Sequence, residues 1–377
     1  MHEYQEDILI DDEYLRSFLL DIDNAESTID IEVYIFENDS VGDQVANVLC
    51  RAASKGVKIR ILVDGVGSIS WGGKIANQLE TAGIRVKVYH PLPWKFSHWR
   101  LVNIKSNFLF SKILYLITKI NSRNHRKVCI IDKKIVYVGS ANLNDHLLRN
   151  PVTNTIWREM NVRLIGVNID ELQAAFNKAW GYPMNKIRKR DMPDKMNIES
   201  RFILNDSWRR RHQYYQMLLD RISKCRERIW VTNAYFVPDS HLLKHLIKAS
   251  QRGVDVRILL PEKSDVFIVP LASATFYSIL LNHGVKIYEY IPDVLHAKVL
   301  ILDNWYSIGS GNLNYRSMKH DLEVNVTIQG IEAKAIIDKQ FLSDLMQSHQ
   351  LNEMDVQRQP LYRKLAGYLM LLIRYWI

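Results

Sequence analysis

Two stretches of this chain run almost unbroken in apolar residues directly after a glycine. They are VKIRILV over 57–63 behind Gly56 and VDVRILL over 254–260 behind Gly253. Runs of this length rich in β-branched residues predict strands covered on both faces. Ahead of each lies a helical pattern of small and basic residues, ANVLCRAASKG (46–56) and KHLIKASQRG (244–253), with the glycine where a left-handed helix cap is wanted. Further upstream come strand-like runs, TIDIEVYIF (28–36) and RIWVTNAYF (228–236), each after a helical pattern, YLRSFLLDI and YYQMLLDRI. A third strand follows in both halves, GIRVKVYHP (83–91) and GVKIYEYIP (284–292). The order helix–strand–helix–strand–strand therefore occurs twice, and a repeat across four or more consecutive elements predicts two similar α/β domains with largely parallel sheets. The spacing places them at 1–183 and 206–350. The polar segment 184–205, containing KIRKRDMPDK, reads as a linker, and 351–377 as an amphipathic tail.

Composition narrows this picture only slightly. The 377 residues carry 50 Lys+Arg against 41 Asp+Glu, a formal charge of +9. That balance favours anionic partners, nucleic acid, phospholipid head groups or phosphorylated metabolites, without choosing among them. The 47% hydrophobic content excludes wholesale disorder. Three scattered cysteines, Cys50, Cys129 and Cys225, fit neither a disulfide framework nor a zinc pattern and point to a reducing compartment. The acidic first thirty residues do not resemble a secretory signal, and no uncharged apolar run approaches the roughly 18–20 residues of a spanning helix.

The third strand of each half leads to a second matched element. The first is His125-Arg126-Lys127 followed by Val-Cys-Ile-Ile-Asp132 and then Gly139-Ser140-Ala141-Asn142. The second is His296-Ala297-Lys298 followed by Val-Leu-Ile-Leu-Asp303 and then Gly309-Ser310-Gly311-Asn312. In extended backbone, His and Lys two residues apart share a face. Asp132 and Asp303 open a hairpin whose return strand brings Ser140 and Asn142, or Ser310 and Asn312, beside the His and Lys. One His-x-Lys carries no information. Two, with four further residue types at matching offsets, describe a phosphodiester site. Lys127, Lys298 and the Ser and Asn side chains suit the non-bridging oxygens, while two imidazoles suit a double displacement, one attacking phosphorus and the other protonating the leaving oxygen. Lysine is no metal ligand at neutral pH, so neither metal nor cofactor is expected. The turn after Asp303 is one residue shorter than that after Asp132, with five residues (Asn304–Ile308) rather than six (Lys133–Val138) before the glycine. The deletion is expected in the turn itself, because within the return strand it would swing Ser310 and Asn312 to the other face.

These paired H-x-K-x4-D motifs resemble those of the phospholipase D superfamily. NHRKVCIID with VGSANLN, TNAYFVP, LHAKVLILD with GSGNLNYRS, and LEVNV resemble its bacterial cardiolipin synthase branch, in a form without N-terminal membrane helices. The resemblance implies two phospholipase D-like α/β domains related by a pseudo-twofold, with the active site at their interface. It also implies a phosphohistidine on His125, His296 as general acid, and a downstream carboxylate orienting each ring: Glu159 for His125 and Glu323 for His296. Asp132 and Asp303 complete the motifs as supports of the hairpin turn.

The halves differ in one respect. From Pro292 to its histidine the second takes four residues, whereas the first inserts a basic, aromatic segment over 92–123 with no acid in it. Together with Leu361, Leu365, Leu369, Leu372 and Trp376 along one face of the tail, this predicts an interfacial membrane element, although a docked helix is the alternative for both. The reaction so implied is transfer of a phosphatidyl group between glycerophospholipids, with phosphatidylglycerol as acceptor, by a monomeric active unit on the cytoplasmic face of the membrane. Water as acceptor would give a phospholipase, and the same histidine pair would serve a nuclease; the exposed aromatics disfavour nucleic acid as partner.

Overall fold

The computed structural model describes residues 4–92, 122–181 and 200–372. Most of the inserted segment 92–123 and of the linker 184–205 lies outside these residues.

The first lobe is built on strands β1 (Gln5–Ile10), β2 (Thr28–Val33), β3 (Lys58–Asp64), β4 (Arg85–Tyr89), β5 (Val128–Ile131), β6 (Ile135–Gly139) and β7 (Met160–Ile165). They form one sheet in the order β1-β7-β6-β5-β2-β3-β4. The second lobe uses β8 (Phe202–Leu204), β9 (Arg228–Thr232), β10 (Asp255–Pro261), β11 (Lys286–Tyr290), β12 (Val299–Leu302), β13 (Trp305–Gly309), β14 (Val324–Ile328) and β15 (Ser348–Gln350). Its order, β8-β14-β13-β12-β9-β10-β11-β15, repeats the first with one edge strand added. The duplicated α/β architecture expected from the repeat is therefore present. The sheets are mixed rather than largely parallel: only β2–β3–β4 and β9–β10–β11 run parallel, and the motif hairpins and outer strands pair antiparallel. The second sheet begins at Phe202, inside the segment read as linker.

Helices Asp12–Asp23, Ser40–Ser54 and Lys74–Thr81 cover one face of the first sheet; Trp208–Lys224, Ser240–Gln251 and Tyr277–Leu281 cover the matching face of the second. Gly56 and Gly253 have φ of 93° and 89° at the ends of the second helix in each lobe, the left-handed geometry expected there. The other two faces meet. Val128, Val136 and Val162 from one sheet and Val299, Tyr306 and Val324 from the other form a single apolar layer. Helices Asp170–Ala179 and Ile331–Met346 also enter this layer through Leu172, Ala175, Ile337 and Phe341, and the shared middle core fixes the two motif hairpins against each other.

The hairpins settle the one-residue deletion. Ile131 pairs with Ile135 across a three-residue turn, and Leu302 pairs with Trp305 across a two-residue turn. The missing residue falls in the turn, so both return strands keep the same register toward their glycines.

Candidate active site

Each motif histidine stands just before its strand, tied to the backbone of the opposite lobe. The His125 N–H donates to the carbonyl of Leu322 at 3.0 Å, and those of His296 and Ala297 both donate to the carbonyl of Arg158 at 2.9 Å. Both rings line one cavity of about 380 Å³ at the seam between the lobes, together with Asn142, Asn312, Tyr34, Tyr235, Asp265 and Arg316.

The carboxylates are exchanged relative to expectation. His125 Nδ1 lies 3.0 Å from Glu323, and His296 Nδ1 lies 2.7 Å from Glu159. Each ring is thus oriented by the other lobe's glutamate, not by the one downstream in its own. Each glutamate immediately precedes its strand (β7 or β14), where the chain runs against the opposite motif, as the bridges Asn124–Leu322 and Arg158–Leu295 show. Chain order cannot reveal this. The Nδ1 contacts leave both Nε2 atoms toward the cavity.

Lys127 and Lys298 are buried, their ammonium groups donating to the carbonyls of His125 (2.8 Å) and His296 (2.5 Å) and lying 5.2 and 5.9 Å from the ring centres of the cavity-lining Tyr34 and Tyr235. Asn142 and Asn312 reach the cavity wall as expected. Asn142 accepts from the Ile35 N–H at 3.3 Å, while Asn312 Oδ1, in a residue 2% exposed, meets no partner. Ser140 and Ser310 do not reach it. Ser310 donates to Glu323 and Ser140 bonds the Met160 backbone at 3.2 Å, so both serines support the carboxylate-bearing strands rather than substrate oxygens. The preceding glycines are required by close approach: a Cβ on Gly139 or Gly309 would fall about 2 Å from the amide oxygen of Asn161 or Asn325. Asp132 and Asp303 sit at the far ends of β5 and β12. Asp132 accepts from the N–H groups of Glu26, Ser27 and Thr28, and Asp303 from those of Arg226, Glu227 and Arg228. Although part of the motif, they anchor the hairpin to the preceding helix–strand turn and stand outside the site.

The electrostatics separate the two histidines. Burial, with Lys127, Lys298 and His296 adding to it, holds His125 well below the usual imidazole range. Burial also lowers His296, but Glu159 pulls the other way. Glu323 is pushed up to about 7 by burial, against the pull of Lys127. Burial acts to raise Glu159 too, yet His296 and Lys298 outweigh it and hold that carboxyl below its ordinary value. Burial depresses both lysines, Lys127 to about 7 with Lys298 adding to the shift, and Lys298 to about 8. Both imidazoles are thus biased toward the neutral form, with Glu159 favouring the charged form of His296.

Several residues escaped the sequence reading. Tyr34 stands edge-on to His125 at 4.9 Å and Tyr235 edge-on to His296 at 6.2 Å. By strand register Tyr235 aligns with Ile35, not Tyr34, so the repeat hides the pair. Asp11 and Asn205 are equivalent supports after β1 and β8: their side chains accept from the N–H of Glu159 (at 3.0 Å) and of Glu323 respectively. The match of ILID with FILN was the available signal. Ser317, donating to Glu323 at 2.7 Å, was visible only as part of the NYRS string.

A duplicated α/β lobe with two histidines at the seam, each held by a carboxylate across it, is the architecture of a phospholipase D-like protein. The family model "Cardiolipin synthase, PLD-like domain" matches residues 19–180 and 218–345, and the chain belongs to that family. The probable cardiolipin synthase YwiE of Bacillus subtilis (strain 168) is 30% identical over 87% of this chain and 63% of its own length. The cardiolipin synthase of Geobacillus kaustophilus (strain HTA426) is 29% identical over 94% of this chain and 68% of its own. The chain thus spans only part of the length of these relatives. Among solved structures, phosphatidylserine synthase of Haemophilus influenzae Rd KW20 superposes with a TM-score of 0.67 over 98% of this chain and 92% of its own, at 12% identity, a likeness of fold.

Proposed function

We propose that this protein is a phosphatidyltransferase of the cardiolipin synthase type. One observation carries the reading: two imidazoles on a common cavity, each with Nδ1 on a carboxylate and Nε2 free. Family membership and the names of the relatives supply the lipid. In the first half-reaction the Nε2 lone pair of His125 attacks the donor's phosphorus, and the departing alcohol oxygen takes a proton from His296 Nε2. In the second, an acceptor hydroxyl gives its proton back to His296 as its oxygen displaces His125. Lys127, Lys298 and the Asn142 and Asn312 amides face the charge that builds on the non-bridging oxygens. One chain supplies every group, which supports a monomeric active unit.

The cavity wall also favours a lipid over a nucleic acid. Val266 and Val269 line it, and the helix Ile268–Ala274 that follows carries the C-terminal helix Leu361–Leu372 on its back. The docking requires Gly367, where a Cβ would meet the Leu271 carbonyl at 2.5 Å. Docking buries Gly367 and packs Met370 and Leu371 against the protein, but leaves Leu365, Tyr368 and Leu369 exposed, with Phe267 exposed beside the cavity mouth. This supports both readings of the tail at once: a docked helix whose free face rests on the bilayer. No helix among the described residues is long and apolar enough to cross a membrane, and the three cysteines are unpaired. Peripheral attachment at the cytoplasmic face is the corresponding proposal.

The test is product analysis with phosphatidylglycerol vesicles. Wild-type protein should form cardiolipin, rapid denaturing quench at neutral to mildly alkaline pH should trap an acid-labile phosphatidyl group on the His125 peptide, and His125→Ala should abolish both. Label on His296 would reverse the assignment, and cardiolipin formed by His125→Ala would refute the mechanism.

A further inference from the structure

The two ends of the cavity are not equivalent, although the lobes around them are. Strand register equates Gly65 with Glu262, since their N–H groups donate to the carbonyls of the last residues of β4 and β11, Tyr89 and Tyr290. Three residues on, Ser68 is therefore the counterpart of Asp265. Ser68 is fully buried and used within its own lobe: it donates to the Tyr34 carbonyl at 2.9 Å and accepts from the Phe36 N–H at 3.0 Å. Asp265 instead faces the cavity on the His296 side, exposed at its rim, one carboxylate oxygen accepting from the Tyr235 hydroxyl at 2.6 Å and the other, at 3.3 Å, from the Ser264 hydroxyl, which leaves lone pairs on both for a further donor. At the other end, beside His125, the cavity lining carries a cation, Arg316, paired with Asp321 at 3.0 Å. The His125 end of the lining thus holds an Arg316–Asp321 ion pair, whereas the His296 side carries the Asp265 carboxylate. Although the neighbouring cavity walls partly desolvate it, His296, Tyr235 and Lys298 hold the Asp265 carboxyl below its ordinary value.

A carboxylate is misplaced for holding a phosphate, which it repels, and well placed for holding hydroxyl donors. In the proposed reaction the proton donor and acceptor is His296, so the alcohol must stand on its side both when it leaves and when it attacks. We propose that Asp265, buttressed by Tyr235, is the alcohol subsite. It accepts a hydrogen bond from a hydroxyl of the polyol head group next to the one that reacts, and so selects a glycerol-type acceptor over water. The inference rests on the phosphatidyltransferase reading and goes beyond it. The balance of the step is simple. The acceptor O–H proton passes to His296 Nε2, the acceptor oxygen bonds to phosphorus, the phosphorus–Nε2 bond to His125 breaks, and nothing is oxidised or reduced. Asp265 exchanges no proton.

The test is the partition of the common phosphohistidine between acceptor lipid and water, which does not depend on how fast that intermediate forms. With phosphatidylglycerol vesicles, the ratio of cardiolipin to phosphatidic acid is measured for wild type, Asp265→Asn, Asp265→Ala and Tyr235→Phe. Loss of a hydrogen bond to a charged acceptor should lower the ratio roughly tenfold or more in Asp265→Asn and Asp265→Ala. The concentration of acceptor lipid giving half-maximal transfer should rise, with a smaller change in Tyr235→Phe. A fall in total turnover at unchanged ratio would overturn the proposal, because Asp265 would then act only through the charge of His296. Unchanged ratio and turnover would remove Asp265 from the site. A wild-type protein that forms neither product, or phosphatidic acid alone, would overturn the transferase reading itself, a result distinct from any change confined to the variants.

Discussion

His125 and His296 are chemically the same side chain, and the protein differentiates them by what surrounds each. Glu323 must be ionised to accept the Nδ1–H of His125 and leave Nε2 as a lone pair, and burial has raised it to about 7. Turnover should therefore rise as pH increases through about 7. It should fall again as Lys298, at about 8, and Lys127, at about 7, lose their protons and with them the charge that stabilises the transition state. The expected profile of kcat/KM is a narrow bell close to neutrality, and a flat rate from pH 6 to 9 would contradict it. Glu323→Gln should lower kcat by roughly 10²-fold or more and abolish the acid limb near pH 7. Glu159→Gln should act instead on leaving-group protonation. Its loss should be large for a phospholipid donor and much smaller for a nitrophenyl phosphodiester, whose leaving group needs no proton. Equal losses on both substrates would speak against His296 as the acid.

Among the elements, the motif hairpin explains why the aspartate of each motif recurs without touching the site. Asp132 and Asp303 have φ of 51° and 49°, a left-handed conformation that costs a non-glycine residue energy, and the carboxylate offsets it by receiving three backbone N–H groups. Asp303→Ala should destabilise the fold by about 1–3 kcal/mol, read as a lower urea midpoint, while kcat per folded molecule stays within about twofold. A large fall in kcat at unchanged midpoint would return Asp303 to the catalytic set. The C-terminal helix makes a separate prediction. Burying a leucine in lipid is worth about 1.5–3 kcal/mol, so Leu369→Glu should weaken vesicle partitioning by roughly tenfold or more, at moderate salt, without loss of helix content. Unaltered partitioning would assign that face to something other than the bilayer.

For the whole molecule, the crossed carboxylates and the shared middle core make neither lobe sufficient. Halves separated within 182–199 and expressed singly should form no phosphohistidine, whereas co-expression should restore it. Labelling of a lone half would show that its histidine needs no glutamate from its partner.

The repeat, both His-x-Lys pairs, the hairpins and the glycine caps were legible in the chain because each depends on residues within about ten positions of one another, where strand and turn periodicity dictate geometry. Even the deletion after Asp303 could be placed, because any other position would have turned the return strand inside out. Which glutamate serves which histidine could not be read. Glu159 and Glu323 are equivalent in sequence, and only the packing of sheet on sheet brings β7 to the second motif and β14 to the first. The same holds for Ser140 and Ser310, turned behind the site, and for Asp265, whose counterpart is a buried serine. The local code determined what chemistry each lobe contains; the interface between lobes decided which groups act together, since that depends on two surfaces meeting and not on the order of residues in either.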